Sequence, residues 1–180
     1  MAQALVLIDI QKDYFPGGRM TLDGADAAAQ NAARLLERFR ARGWALVHVQ
    51  HLSIRPTASF FIPGTEGVDF HPAVAPRGDE LVIQKNFPSA FRATRLDTEL
   101  RSRGITELLV AGMMTHMCVD SSVRAAFDLG FKVEVAHDAC ATRKLTFGDG
   151  EVPAAQVHNA FIAALNGTFA SARGTADILA

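Results

Sequence analysis

Short unbroken apolar runs alternate along this chain with stretches in which apolar residues recur every three or four positions. Ala4 to Ile8 reads Ala-Leu-Val-Leu-Ile, with no polar face. Such a run predicts a strand buried on both sides, as in a central parallel sheet. Trp44 to Val49, Glu80 to Gln84, Ile105 to Ala111 and Phe131 to Ala136 are further strand candidates, and Thr168 to Ala170 is a short last one. The segments between them are helical in period. From Asp26 to Arg42, Ala28, Ala32, Leu35, Leu36 and Phe39 share one face, Arg34, Glu37, Arg38 and Arg40 share the other, and Gly43 supplies the stop. Thr94 to Gly104 turns Leu96 and Leu100 inward. A helix running on from Cys118 to Gly130 places Val119, Val123, Ala126 and Phe127 together. A last one, from Glu151 or Pro153 to Asn166, has Val157, Ala160, Phe161 and Ala164 on its apolar face. Strand–helix alternation of this kind predicts an α/β fold: three layers, with a mainly parallel sheet of about six strands and helices on both faces.

Ser53 to Gly78 breaks the pattern. It has little periodicity and carries Phe60-Phe61, Pro63-Gly64, Gly67, Phe70 and Pro72. A long irregular segment in a compact fold is a functional lid or an ordered excursion. Its phenylalanines serve equally as pocket wall or as the segment's own packing.

The 180 residues suffice for one domain over 1–180 with a sizeable core. A hydrophobic content of 49% and a charged content of 21% are those of a soluble globular protein. The net charge of −1 makes no case for nucleic acid, and no apolar run approaches a membrane span. Strand-like sequence begins at once, without a basic region or small-residue cleavage site, so no signal peptide is expected. Cys118 and Cys140 are too few for a disulfide framework and lack metal-ligand spacing, which suits a reducing cytoplasm. Cys140 reads as packing.

Chemistry gathers at the strand ends, where α/β sheets bind ligands. Asp9 ends the first strand, Gln50 and His51 the second, Lys85 follows the third, and Cys118 lies across the turn after the fourth. A lysine at such an edge is less routine than one on a helix face, because its charge must find a partner. A thiol where a turn becomes a helix meets the partial positive charge of a helix N-terminus, which lowers its pKa, and free N–H groups there can hold an oxyanion. A nucleophile needs a base and something to hold both. Asp9 can be that base and Lys85 the orienting cation. His51 can contact substrate or be structural, His48 reads as structural, and His116 orients the turn rather than reacting.

The residues Leu7-Ile8-Asp9-Ile10-Gln11-Lys12-Asp13-Tyr14-Phe15, Gln84-Lys85 with Ser89-Ala90-Phe91, Gly112-Met113-Met114-Thr115-His116-Met117-Cys118-Val119, Asp138 to Thr142 and Asn166 to Ala170 occur in one order and spacing. In these the chain resembles the isochorismatase-like hydrolase superfamily, in its cysteine hydrolase branch, over nearly its whole length. The resemblance implies a catalytic triad of Cys118, Asp9 and Lys85. It also implies a cis peptide between Met113 and Met114, and an oxyanion hole made by the N–H groups of Met114 and Cys118. Nicotinamidases of the superfamily carry an Asp-x-His metal pattern near the end of the second strand. Here His51-Leu52-Ser53 stands in its place, so neither metal nor other cofactor is expected. True isochorismatases commonly lack the nucleophilic cysteine. What remains resembles the amidases of the branch: hydrolysis of a C–N bond in a small amide, ureide or lactam through a thioester. The rivals are a vinyl-ether hydrolase of the isochorismatase type and a non-catalytic binding protein on the same fold. Gln11, Phe15, His51, Phe60, Phe87 and Phe91 are the candidate pocket residues. The partners expected are a small-molecule substrate and further copies of the chain in a homodimer or larger homo-oligomer.

Overall fold

The computed structural model describes residues 2–180. In chain order the strands are β1 (Ala2–Ile8), β2 (Ala45–His51), β3 (Leu81–Lys85), β4 (Ile105–Met113), β5 (Lys132–Ala141), β6 (Leu145–Phe147), β7 (Gly150–Val152) and β8 (Ser171–Arg173). The helices are α1 (Ala25–Arg42), α2 (Leu96–Ser102), α3 (Asp120–Asp128), α4 (Ala154–Leu165) and α5 (Thr175–Leu179). Six strands form one parallel sheet in the order β3-β2-β1-β4-β5-β8. The chain runs outward from β1 to β3, then returns to the other side of β1 for β4. The order therefore reverses between β1 and β4, the place where such sheets leave a crevice at their C-terminal edge.

The sheet is sandwiched between helices, because both faces of its central strands are apolar. Leu5 and Leu7 of β1, with Leu109 and Ala111 of β4, pack against Ala28, Ala32, Leu35, Leu36 and Phe39 of α1. Ala4, Val6 and Ile8, with Leu108 and Val110, face Leu96 and Leu100 of α2 and Val119, Val123 and Ala126 at α3. α5 adds Ile178 and Leu179 to the first face, and α4 adds Leu165 to the second. Burying a side chain of this size stabilises the fold by about 1.5–3 kcal/mol each, so the two layers supply most of the driving force.

Several boundaries differ from the sequence-based expectation. Gly112 does not end β4. It continues the strand at φ 137°, and an added Cβ would stand 2.0 Å from the Ile8 carbonyl oxygen. Only glycine lets β1 and β4 approach this closely where they reach the crevice. Opposite it β5 bulges: Val110 pairs with Val135, then Gly112 with Cys140, so β5 runs on to Ala141 instead of stopping at Ala136. The last strand is Ser171–Arg173 rather than 168–170, because the N–H groups of Phe169 and Ala170 turn back to the Leu165 carbonyl at the end of α4. The β6–β7 hairpin and α5 have no counterpart in the hydrophobic pattern. Each is too short to show a period.

The 53–78 stretch is an ordered excursion. Asp13 accepts from the Phe61 N–H at 2.6 Å and the Arg19 N–H at 3.1 Å, and the His71 N–H reaches the Ile10 carbonyl at 2.9 Å. Phe61, Val68 and Val74 are buried beneath it.

Candidate active site

Four strand ends deliver the reactive groups to one place. Asp9 is the first residue past β1. It turns out of the strand at φ 51°, a left-handed conformation that aspartate adopts more readily than most residues, and its N–H bonds the Val49 carbonyl at 3.0 Å. His51 and Lys85 close β2 and β3 and are register partners. Lys85 lies two strands from Asp9, roughly 10 Å across the sheet. Only a long side chain spans that, and its Nζ ends 2.7 Å from Asp9 Oδ2, 2.8 Å from His51 Nδ1 and 3.3 Å from Cys118 Sγ. Asp9, Lys85 and Cys118 are all buried.

Cys118 does not sit on the first turn of a regular helix. The chain leaves β4 through a cis Met113–Met114 peptide and forms a π-helical turn over Thr115–Val119, in which the Val119 N–H bonds the Met114 carbonyl at 3.2 Å. α3 begins only at Asp120. The thiol does not become a ready thiolate here. Burial pushes it well above its ordinary range, the negative charge of Asp9 pushes the same way, and the Lys85 ammonium opposes both. Burial also raises the Asp9 carboxyl, against the pull of Lys85 and a hydrogen bond with Cys118. Lys85 itself is opposed by burial, but Asp9 and Cys118 outweigh that and hold it above its usual value. The resting site is thus a thiol beside a carboxylate–ammonium pair. Beyond the Lys85 ammonium at 2.7 Å and the Cys118 thiol, no donor reaches either Asp9 oxygen, so the carboxylate keeps the capacity to accept a proton.

A cavity of about 250 Å³ opens onto Cys118. Tyr14, Phe60, Phe61, Met114 and Met117 form its apolar wall, His51 and Ser53 border it, and Arg55 and Arg143 bring positive charge. No carboxylate lines it. Arg143 Nε is buried without a partner. Larger hollows exist on the surface, such as one of about 660 Å³ beside Phe15 and His71, but none of Asp9, Lys85 or Cys118 lines it.

The pocket candidates divide. His51 and Phe60 line the cavity, but Gln11, Phe15, Phe87 and Phe91 do not. Gln11 is consumed by backbone, donating to the His51 carbonyl at 3.0 Å and the Val68 carbonyl at 2.9 Å while accepting from the His51 N–H at 2.7 Å. Phe15 stacks on His71 with centroids 4.0 Å apart, Phe87 lies under the Arg92 guanidinium, and Phe91 packs toward Phe131. Arg143 is a lining residue that sequence reasoning misses. It follows Asp138 to Thr142 at another strand end, a charge at the sheet edge just as Lys85 is, and that placement is the signal that could have found it. His116 faces away from the reacting groups. Its Nδ1 lies 2.6 Å from Thr142 Oγ1, and its Nε2 is buried without a partner.

Asp9, His51 and Cys118 are the only trio among the described residues whose ligand atoms cluster as a metal site would need, within 4.8 Å of one another. The residues do not fit such an ion, because the Lys85 ammonium already contacts all three. Ser53, where a second-strand metal pattern would need a ligand, donates its hydroxyl to the Phe60 carbonyl at 2.9 Å.

A model of the isochorismatase domain matches residues 3–177. The isochorismatase family protein YddQ of Bacillus subtilis is 49% identical over 99% of both chains. A maleamate amidohydrolase of Pseudomonas putida is 31% identical over 78% of this chain and 72% of its own. The crystal structure of an isochorismatase hydrolase from Oleispira antarctica superposes with a TM-score of 0.95 at 44% identity, covering 99% of this chain and 96% of that one.

Proposed function

The chain belongs to the isochorismatase family of hydrolases, and from that premise we propose that it cleaves a C–N bond of a small amide, ureide or lactam through a thioester on Cys118. One observation carries the reading: the Lys85 ammonium touches a buried carboxylate and a buried thiol at once. Asp9 takes the thiol proton as sulfur bonds to the carbonyl carbon and the C=O pair moves onto oxygen. Because the thiol is held well above its ordinary range, proton loss accompanies attack instead of preceding it. The Met114 and Cys118 N–H groups hold the oxyanion. Asp9 returns the proton to nitrogen, the C–N bond breaks, and ammonia or an amine leaves. Water then gives a proton to Asp9 and attacks the thioester, the C–S bond breaks to release the acid, and Asp9 returns the proton to sulfur, restoring the thiol.

The cavity narrows the substrate. Its volume of about 250 Å³ suits a small molecule. Two arginines without a lining carboxylate, one of them with an unpartnered buried Nε, favour an amide whose far end carries an anion or a strong acceptor. The maleamate amidohydrolase relative supports a reading in which that anion is a carboxylate. Exposed apolar side chains, with Phe127 at 42% and Phe147 at 92%, support the further proposal of a homo-oligomer, for which light scattering should return more than a monomer mass at micromolar concentration.

The test is ammonia release from a panel of small amides and ureides, each paired with an analogue bearing a carboxylate. Wild type should release ammonia, prefer the carboxylate members and keep its activity in chelator. Cys118→Ala should release none. Intact-mass measurement with a poor substrate should find an acyl group on Cys118. An adduct on Cys140 instead, or turnover in Cys118→Ala, would remove the nucleophile from the reading.

A further inference from the structure

His51 stands among the reacting groups, yet none of the steps above uses it. Its backbone is clamped: Gln11, fully buried, takes its N–H at 2.7 Å and donates to its carbonyl at 3.0 Å. The imidazole therefore leaves the sheet edge from a fixed point, and Nδ1 lies 2.8 Å from Lys85 Nζ. An ammonium has three N–H donors and no acceptor. At this contact Nδ1 must accept, so the ring proton resides on Nε2. Lys85 then meets three acceptors from three separate elements: Asp9 after β1, His51 on β2 and Cys118 in the π turn.

We propose that His51 is a positioning residue and the fourth member of this site: its unprotonated Nδ1 takes the third N–H of the Lys85 ammonium and fixes that charge between Asp9 and Cys118. Lys85 has a long flexible stem reaching across two strands. A buried ammonium with an unmatched N–H would be costly and free to swing. A neutral acceptor solves this without adding charge. A second carboxylate at this position would compete with Asp9 for the ammonium and raise the Asp9 carboxyl further. Burial, then the charges of Lys85 and Arg55, push the imidazole down to about 3, so it stays neutral throughout the working range. The groups facing this cluster are Asp9, Cys118 and Tyr14, with Arg55 and Arg143 from the cavity side. Of these, Asp9 alone carries a charge opposite to that of the Lys85 ammonium, and the two lie 2.7 Å apart.

The catalytic consequence rests on the Cys118 reading, but the geometry can be tested without substrate. Iodoacetamide alkylation of Cys118, followed by intact mass across pH, reports the state of the Lys85–Asp9 pair. In His51→Leu the ammonium loses an acceptor, so its deprotonation should move to lower pH by about one unit, the usual worth of a hydrogen bond to a buried charge. In His51→Asn the amide oxygen stands near the old Nδ1 position, and the profile should return to that of wild type. Ring nitrogen shifts of wild-type His51 should show a neutral Nε2–H tautomer from pH 5 to 9. Superimposable His51→Leu and wild-type profiles would overturn the proposal, as would equal displacement by Leu and Asn, or an Nδ1–H or doubly protonated ring. Should the leucine variant not fold, the asparagine variant and the ring nitrogen shifts still decide. If no amide is turned over and no acyl group forms on Cys118, the hydrolase reading fails while these measurements still judge His51.

Discussion

At the start of β3, Glu80 gathers three side-chain contacts and one from the backbone. Arg40 reaches its two oxygens at 2.7 and 2.8 Å, His48 Nε2 lies 2.9 Å away, and the Arg77 N–H donates at 2.9 Å. At the other end of the same strand, Lys85 faces Asp9, His51 and Cys118. Both clusters contain a carboxylate, a cation and a histidine of β2. They differ in how fully the carboxylate is satisfied. Hydrogen bonds from Arg40 come first among the causes that hold Glu80 at about 2, below its ordinary 4.5. For Asp9, burial comes first and the carboxyl moves up. A carboxylate met by four donors is a fastener. One that is desolvated, with its oxygens left short of donors, is ready to take a proton.

Conservative amide substitution in the two clusters should break the comparison most sharply. Asp9→Asn keeps shape and loses the proposed base. Its turnover should fall by at least about 10²–10⁴, the usual worth of general-base catalysis. Glu80→Gln should leave kcat within a few-fold of wild type. Single-turnover assays on both variants measure this. A comparable loss in Glu80→Gln would erase the distinction between fastener and base. Lys85→Ala belongs with Asp9. It should turn over poorly, and its Cys118 should alkylate more slowly, with the pH dependence shifted upward.

Stability should respond in the opposite sense. The side chains of Arg40 and Glu80 are only 12% and 14% exposed, and Glu80→Gln removes the charge that the guanidinium faces and one of the two oxygens that accept from it. A charged hydrogen-bond set in that setting is worth about 1.5–3 kcal/mol, below the cost of breaking a fully buried pair. For a chain of this length the melting temperature should drop by about 4–10 °C.

The strand ends are legible in the sequence because continuous apolar runs stop abruptly at charged residues. Asp9 and Lys85 stand out by that feature and Cys118 by the turn that follows such a run, and the structure brings the three together. What the sequence does not carry is contact across the sheet. Phe15, Phe87 and Phe91 differ from Phe60 only in which neighbour they find, and a run of residues does not specify that. The state of Cys118 is misread from sequence for a related reason. A helix N-terminus lowers a thiol, but the local turn is π-helical and burial prevails over it. The extension of β5 past Ala136 depends on pairing resumed at Gly112 after the bulge in β5, a property of two strands and not of one.

A pH series should sharpen the contrast. Glu80 is depressed on folding, so its contribution is present above about 4.5 and is lost as pH falls toward about 2. Asp9 is raised on folding, so its contribution to stability is present below 3.8 and lost as pH rises through its higher folded value. In the proposed mechanism ionised Asp9 is the base, so activity should disappear as pH falls through that same raised value. Circular dichroism and turnover measured together should therefore reveal an acid interval in which the chain is folded but inactive. Coincident loss of both signals would show that Asp9 is no less satisfied than Glu80.

The smallest effect expected is at His48, three residues from His51 on β2. His48 Nε2 donates to Glu80, while its buried Nδ1 has no partner. Burial holds the ring below its usual pKa despite Glu80, so it is a neutral donor. His48→Leu removes one of four hydrogen bonds to Glu80 and, with it, an unsatisfied buried nitrogen. The first change costs about 1.5 kcal/mol, the low end for a bond to a charged group, and the second returns a similar amount, so stability should move by less than about 1 kcal/mol. Glu80 should rise slightly, because one of the bonds that lowered it is gone. The alkylation profile of Cys118 should not move at all, since His48 pairs with Val82 on β3 and no hydrogen bond links it to Lys85. The same substitution at His51 is expected to displace that profile. Chemical denaturation and alkylation of the two leucine variants side by side would thus measure how far one strand can separate a histidine that fastens from a histidine that aims.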